Sequence, residues 1–332
     1  MNADLLKRIV RAMSSGSRDD LDLLARKLID AERKSGHVRV ANELDAILKR
    51  SRRPSPGSAA PLDTGVLRDL PVSRRGQEAL VTLVPADSLE HHMVLPAATE
   101  ARFCRIEREY AARERLSVFG LRYRRTVLLY GPPGCGKSLG AKRLAWNTGL
   151  PLMKVRFDAL LSSYFGESLS NLRAIFDAAR ATPCVLLLDE CDFIARSRNG
   201  SKDVGEASRV VNLLLQLMEE FEGNGLLVAT TNLDGVLDEA MFRRFDEVLQ
   251  VPPPGPEQVE QLLRLTLSGV SVTGTVDWSD IVASLHGQSA AQVVKVAQDA
   301  AKAALLGGEQ TVEEWHLRSA SAELHRPAPG VH

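Results

Sequence analysis

The apolar residues of this chain form short runs in its central part and helical stripes on either side. Five runs of five or six mostly apolar residues predict strands, at 126–130, 152–157, 184–189, 226–231 and 247–251. Between these runs, apolar residues recur every three or four positions, which predicts helices. Strands and helices that alternate in this way form a mostly parallel sheet covered by helices on both faces. The sequence therefore predicts an α/β domain with five parallel strands.

Helical patterns without such strands flank this domain. Residues 1–50 carry three short apolar stripes and predict a small helical appendage, either a structural cap or a module that binds a substrate or partner. A linker rich in proline, serine and glycine follows at 51–62, and the α/β domain is assigned to 63–252. After a proline-rich hinge, residues 253–332 predict a small helical domain.

Composition and charge indicate an ordinary globular protein. Apolar residues make up 44% of the chain and charged residues 25%, and the 42 basic residues balance the 42 acidic ones. Balanced charge argues against a protein that coats nucleic acid, although a local basic patch stays compatible with it. We expect a cytoplasmic protein without a membrane segment, because there is no signal-peptide pattern, no apolar run of about 18 residues and no paired cysteine spacing.

The segment from Gly131 to Ser138, Gly-Pro-Pro-Gly-Cys-Gly-Lys-Ser, fits the phosphate-loop motif and lies between a predicted strand and a predicted helix. Glycines let backbone N–H groups close around phosphate oxygens, and the helix N-terminus attracts negative charge. Lys137 is predicted to reach the β- and γ-phosphates, and the Ser138 hydroxyl to ligate Mg²⁺. Cys135 is interpreted as a small spacer, with an oxidation-sensitive thiol as the alternative. The predicted nucleotide-binding residues here are Pro133, Gly134, Cys135, Gly136, Lys137, Ser138 and Leu139.

Two carboxylates, Asp189 and Glu190, end the third predicted strand, which we expect beside the phosphate-loop strand. Asp189 is predicted to hold Mg²⁺, directly or through water, and Glu190 to orient and deprotonate the attacking water. With Lys137 they supply the positioned charge that phosphoryl transfer needs. Asn232 ends the next strand, where polar side chains face the ligand crevice. It is predicted to hold the lytic water or the γ-phosphate, unless it is only a turn residue.

Together these segments resemble the AAA ATPases, the branch of AAA+ proteins that includes proteasomal ATPases, microtubule-severing enzymes and membrane-anchored protease ATPases. The markers are GPPGCGKS, LLLDE, ATTN and the run LDEAMFRRFD at 237–246, and the resemblance covers roughly residues 90–322. It implies a phosphate-loop AAA+ module with a small C-terminal helical lid. It also implies ATP and Mg²⁺ as cofactors, and a ring, most often a hexamer.

The run at 237–246 resembles the family's second region of homology, whose arginine fingers reach the γ-phosphate of the neighbouring subunit. An arginine supplied in trans is worth about 10³–10⁵ in rate in phosphate-loop enzymes. Many members separate two arginines by a short glycine-containing insert, whereas Arg243 and Arg244 are adjacent here. The resemblance implies Arg244 as the finger and Arg243 as a second candidate. The alternative is that one of them only pairs with Asp238 or Asp246.

Two further segments resemble nucleotide contacts of the family. The run GQSAA at 287–291 is similar to the turn that opens the lid helix, which implies contacts from Gly287, Ala290 and Ala291 to adenine and ribose. Ser289 in that run also fits a helix N-cap, which is compatible with this role. The adenine-contacting segment upstream of the phosphate loop is poorly matched and is expected at 93–95.

The run Ser-Tyr-Phe-Gly-Glu at 163–167 resembles the family's first pore loop. This implies that Tyr164 and Phe165 grip an extended polypeptide in a central channel while Gly166 allows the turn behind them. Alternatively, both aromatic side chains pack under the loop as core. Residues 196–202 lie where the family has a second pore loop, or form a plain solvated loop.

The resemblance implies a ring-forming ATPase that unfolds or remodels a protein substrate by threading polypeptide through its pore. The chain has neither an H-E-x-x-H nor a G-x-S-x-G motif, so we expect no protease of its own. The resemblance to related bacterial ATPases implies a separately encoded protease or an adaptor as a partner, bound through residues 1–50. The alternatives are a nucleotide-gated scaffold and a nucleic-acid-remodelling ATPase. The aromatic pair in the first pore loop argues against nucleic acid, because tracking a strand needs phosphate contacts.

Overall fold

The computed structural model describes residues 71–72, 78–85, 88–161, 167–192, 204–232, 242–309 and 311–324. All of these belong to the unit Ala59–His332. The predicted appendage and linker, the expected pore-loop residues Tyr164, Phe165 and Gly166, and the segments 196–202 and 237–241 lie outside the described residues.

Within the described residues, the centre of the fold is a six-stranded sheet. Its strands are β1 (Val81–Val84), β2 (Thr126–Tyr130), β3 (Leu152–Val155), β4 (Val185–Leu188), β5 (Leu226–Thr231) and β6 (Glu247–Gln250). They are arranged in the order β1-β3-β4-β5-β2-β6, with β1 antiparallel to β3 and all other neighbours parallel. The five parallel strands are those that the sequence predicts. The antiparallel edge strand β1 was not predicted, because its four residues lie in a segment without a clear period.

The strand order corrects one expectation. The strand that ends before Asp189 was expected directly beside the phosphate-loop strand, but β5 lies between β4 and β2. Local sequence specifies where a strand begins and ends, whereas strand order depends on how the helices cross over the sheet. As a result, the end of β5 lies between the ends of β4 and β2.

Helices cover both faces of the sheet because the inner strands are apolar on both sides. In β2, Leu128 belongs to one core, while Val127 and Leu129 belong to the other. The helices of this layer are α1 (Ala97–Ala111), α2 (Arg113–Val118), α3 (Lys137–Thr148), α4 (Phe157–Leu161), α5 (Glu167–Ala181) and α6 (Val204–Glu219). Buried residues of α4, α5 and α6 fill the first core, and those of α1 and α3 fill the second.

The remaining described elements form a small C-terminal helical part with its own core, which includes Leu263, Ile281, Val293 and Leu317. These elements are α7 (Pro256–Thr266), a 3₁₀ turn (Leu267–Gly269), β7 (Ser271–Val272), α8 (Trp278–Ser284), α9 (Ala290–Leu306), β8 (Thr311–Val312) and α10 (Glu314–Leu324). The parallel pair β7–β8 was not predicted, because two-residue strands leave no period in the sequence. In the part of the chain that the structure describes, no helix has both the length and the apolar character that a membrane span requires.

Candidate active site

The phosphate loop follows β2 and places Lys137 at the first position of α3. Lys137 is buried, and its Nζ donates hydrogen bonds to the carbonyl oxygens of Gly131 and Pro132 at 2.8 and 2.7 Å. The loop thus surrounds a positive charge with its own backbone. An anion that enters the loop meets this ammonium together with the N-terminus of α3, and both favour negative charge.

Backbone geometry explains the glycines of the loop. Gly134 and Gly136 have φ of 74° and 97°, in the left-handed region that other residues avoid. A Cβ added to Gly131 would lie 2.3 Å from the carbonyl oxygen of Val251, so a side chain there would collide with the backbone after β6. These positions therefore need glycine to let the loop close tightly.

The start of α9 touches the phosphate loop. The backbone N–H of Ala291 donates to the carbonyl oxygen of Gly134 at 2.9 Å, and a Cβ added to Gly134 would lie 2.9 Å from Ser289 Oγ. Ser289 also caps α9 in a capping box with Gln292, so its predicted N-cap role is present in the structure. Ala290 is the first residue of α9, and Gly287 turns the chain into it with φ of 77°. The start of α9 and the phosphate loop are therefore in direct contact.

The segment at 93–95 also lies next to the phosphate loop. A Cβ added to Gly136 would be 3.4 Å from Met93 Cε, while Val94 packs against the core of the C-terminal helical part. Upstream, the ring of His91 stacks on that of Trp146 with centroids 4.1 Å apart, which fixes the segment to α3. The segment therefore lies beside both the phosphate loop and the C-terminal helical part.

Asp189 is the meeting point of three side chains from different elements. Its Oδ1 accepts hydrogen bonds from Ser138 Oγ and Thr230 Oγ1, both at 2.7 Å, and its Oδ2 accepts one from Lys154 Nζ at 2.6 Å. Burial alone would raise the pKa of Asp189, but the hydrogen bonds from Lys154, Thr230 and Ser138 outweigh it and lower that pKa below its usual value. The carboxylate is therefore ionised at neutral pH.

Glu190 follows Asp189 but lies in a different environment. It is exposed, and its φ of 57° makes it the one non-glycine residue in the left-handed region among those described. Such a conformation costs about 1–3 kcal/mol and persists only where neighbouring bonds hold it. Here the N–H of Glu190 donates to Thr230 Oγ1 at 2.9 Å. One threonine hydroxyl thus joins the partly buried, hydrogen-bonded carboxylate of Asp189 to the backbone of Glu190, whose own side chain is exposed. The two carboxylates therefore have different surroundings, which suits two different roles.

Asn232 is held by a residue that the sequence analysis missed. Asp192 Oδ1 accepts the backbone N–H of Asn232 at 2.9 Å, and its Oδ2 accepts the Asn232 amide at 3.2 Å. Asp192 Oδ1 also accepts the Thr231 hydroxyl at 2.6 Å. Asp192 ties the end of β5 to the turn after β4, so the Asn232 side chain has a defined orientation. The signal in the sequence was a third carboxylate, three residues after Asp189, but its spacing alone does not indicate that it orients Asn232.

The two adjacent arginines differ in their surroundings. Arg244 Nε lies 3.0 Å from Glu219 Oε1 at the end of α6, with 27% of its side chain exposed, whereas Arg243 is exposed. Asp246, one predicted partner, instead accepts the backbone N–H groups of Arg125 and Thr126 at 2.8 and 3.0 Å. The other, Asp238, lies outside the described residues. Arg244 is therefore the less exposed of the two arginines and forms an ion pair within its own chain.

The donor set fits a magnesium ion. Mg²⁺ prefers oxygen ligands and usually takes only one or two from the protein, with phosphates and water completing its shell. Ser138 Oγ and the Asp189 carboxylate meet beside the phosphate loop and supply such oxygens. Among the described residues no cluster of three or more His, Cys, Asp or Glu side chains could hold a metal by itself.

Known proteins share these features. Residues 127–253, which contain the phosphate loop, both carboxylates, Asn232 and both arginines, match the family described as ATPase family associated with various cellular activities (AAA). The chain is also 35% identical over 330 residues to an uncharacterized AAA family ATPase, y4kL, of Sinorhizobium fredii (strain NBRC 101917 / NGR234). That similarity covers 98% of this chain and 96% of the relative.

Proposed function

Because this chain belongs to the AAA family of ATPases, we propose that it is a magnesium-dependent ring that uses ATP hydrolysis to unfold or remodel proteins. The hydrolysis of ATP follows from the family itself. The observation that carries the proposed chemistry is the arrangement around Asp189, where Ser138 and Thr230 converge on the carboxylate while Glu190 stays exposed beside it.

In the proposed reaction, Lys137 and the N–H groups of the phosphate loop bind the β- and γ-phosphates. Ser138 and Asp189 would hold Mg²⁺, and the ion would neutralise charge on the phosphates. Glu190 accepts a proton from the water that attacks the γ-phosphorus, and the bond to the bridging oxygen breaks to release ADP. Asn232, oriented by Asp192, hydrogen-bonds that water or the γ-phosphate.

The proposed assembly places the site at a boundary between copies. We assign the trans-acting finger to Arg243, because it is the more exposed of the two adjacent arginines, and keep Arg244 as the second candidate. The end of α2 and the turn after it add a second argument for assembly, because Val118, Phe119 and Leu121 expose 80%, 79% and 58% of their surface. A contiguous run of exposed apolar residues is typical of an interaction surface. A hexameric ring is the assembly that the family favours.

The remodelling role rests on the resemblance of Tyr164, Phe165 and Gly166 to a pore loop. Ala291 contacts Gly134 of the phosphate loop. We propose that ATP hydrolysis moves the lid at this contact, and that this movement carries the pore loop along the channel. We propose that residues 1–50 bind an adaptor or a separately encoded protease, and that the protein acts in the cytoplasm. The four cysteines, all among the described residues, form no disulfide, which fits a reducing compartment.

The test uses the full chain with Glu190→Gln, and with Glu323→Gln as a matched control at an exposed position of α10. Loss of a general base costs about 10²–10⁴ in rate. We expect Glu190→Gln to bind ATP, to hydrolyse it at least about 100-fold more slowly and to trap its substrate, while the control behaves as wild type. Normal turnover of Glu190→Gln would remove Glu190 from the mechanism.

A trapped protein then becomes the substrate of a remodelling assay with Tyr164→Ala and the conservative Tyr164→Phe. We expect Tyr164→Ala to keep ATP hydrolysis but lose remodelling, and Tyr164→Phe to keep both. Full remodelling by Tyr164→Ala would refute the pore role and favour the nucleotide-gated scaffold. Capture of DNA or RNA instead of protein would favour the nucleic-acid-remodelling alternative.

A further inference from the structure

Lys154 is the one charged residue in the strands β2, β3, β4 and β5. Its neighbours Met153 and Val155 are buried, but the Lys154 side chain is 48% exposed. In the parallel pairing of β3 with β4, Lys154 lies opposite Leu187, two residues before Asp189. A lysine at this register can reach the end of β4 with its flexible stem.

The ammonium of Lys154 occupies one side of the Asp189 carboxylate. Nζ lies 2.6 Å from Oδ2, while Ser138 and Thr230 use Oδ1. The Asp189 side chain is only 12% exposed, so water screens its charge less than it screens the charge of the half-exposed Lys154. The carboxylate therefore already has a counter-ion, which is a second positive charge beside any metal ion that Ser138 and Asp189 would hold.

We propose that Lys154 is a resident counter-ion of Asp189 that competes with Mg²⁺ and so sets the Mg²⁺ concentration at which nucleotide binds tightly. This inference rests on the proposed magnesium site at Ser138 and Asp189. Two cations that neutralise one carboxylate repel each other, so the ion pair must weaken when the metal binds. Half exposure gives Lys154 a solvated position to move to, which keeps this competition reversible.

The opposite role for Lys154 makes the opposite prediction. If the ammonium instead contacted the phosphates directly, its removal would weaken nucleotide binding at every Mg²⁺ concentration. If it competes for Asp189, its removal strengthens the binding of the metal and leaves nucleotide affinity at saturating Mg²⁺ unchanged. A titration of the metal therefore separates the two roles.

The experiment measures the binding of a fluorescent ADP analogue to the full chain during a MgCl₂ titration at constant ionic strength. The variants are Lys154→Met, which removes the charge but keeps the length, and Lys154→Arg, which keeps the charge. Lys302→Met is the matched control, because Lys302 is exposed and pairs with Asp299 at 3.2 Å far along α9 from the phosphate loop. Lys154→Gln replaces Lys154→Met if the latter does not fold, as judged by thermal unfolding.

For Lys154→Met, we expect the Mg²⁺ concentration at half-maximal binding to fall about threefold to tenfold, the range for a partly exposed ion pair. Lys154→Arg is expected to match the wild type or to require more Mg²⁺, and Lys302→Met to be unchanged. An unchanged or raised Mg²⁺ requirement in Lys154→Met overturns the inference while the magnesium site stands. Binding by the wild type that is independent of Mg²⁺ overturns the proposed magnesium site itself.

Discussion

Replacement of Thr230 by valine tests whether one hydroxyl organises both carboxylates. Thr230 is 1% exposed, donates to Asp189 at 2.7 Å and accepts the N–H of Glu190 at 2.9 Å. Valine keeps the shape of threonine but removes both hydrogen bonds. The substitution therefore takes the Thr230 hydroxyl away from both the Glu190 N–H and the Asp189 carboxylate.

The expected loss of stability follows from these two bonds. A hydrogen bond to a charged group contributes about 1.5–3 kcal/mol and a neutral one about 1 kcal/mol. Relaxation of the left-handed conformation of Glu190 returns part of this, since that conformation costs about 1–3 kcal/mol. We expect Thr230→Val to lower the free energy of unfolding by about 1–3 kcal/mol in urea titrations.

Catalysis is expected to suffer more than binding. Without the hydroxyl, Glu190 loses its fixed position, and misplacement of a catalytic group by about 1 Å can cost 10²-fold in rate. ADP affinity is expected to change little, because Lys137 and the loop carbonyls that orient it are untouched. Thus kcat of ATP hydrolysis falls about 10- to 100-fold, and the affinity for ADP stays within about threefold.

Thr148→Val is the matched control. The Thr148 hydroxyl donates to the carbonyl oxygens of Leu144 and Ala145 at the end of α3, remote from the carboxylates. It is expected to change stability modestly and to leave kcat unchanged. If Thr230→Val kept the kcat of the wild type and unfolded within about 0.5 kcal/mol of it, Thr230 would have no organising role.

Two further predictions concern assembly and stability. When Arg243→Ala subunits, which keep an intact nucleotide site, are mixed with Lys137→Ala subunits, which keep the arginine, ATP hydrolysis should reappear in the mixture, because each site takes its arginine from a neighbour; a mixture as inactive as its two components would contradict a trans-acting finger at Arg243. Arg143, 9% exposed, pairs with Glu107 and Glu100, so Arg143→Met should lower the free energy of unfolding by about 2–3 kcal/mol at pH 7. The hydrogen bond from Arg143 lowers the pKa of Glu100 in the folded protein. The stability that this ion pair contributes is therefore fully present above the unfolded-state pKa of about 4.3, and it is lost as the pH falls through the lower folded-state pKa. In urea titrations from pH 6 to pH 3, the gap between wild type and variant should therefore narrow; a constant gap would mean that Glu100 takes no part.

Much of the fold is local information. The five parallel strands are apolar runs bounded by polar residues, and α9 begins and ends at its predicted residues, 290 and 306, because a serine cap and a glycine bound its apolar stripe. The phosphate loop is also local, since Gly131, Gly134 and Gly136 specify its backbone within eight consecutive residues. Each of these signals lies within one element, so the sequence was sufficient to predict it.

Relations between elements were decided only by the tertiary structure. The sequence predicted a role for Asp189, but only the insertion of β5 between β4 and β2 brings Thr230 to hydrogen-bond with it across 41 positions. Lys154 is likewise an unremarkable lysine in the sequence until the pairing of β3 with β4 brings it to Asp189. Periodicity records which face of an element is apolar. The partner of that element depends on the packing of side chains from distant parts of the chain, and no local pattern contains this information.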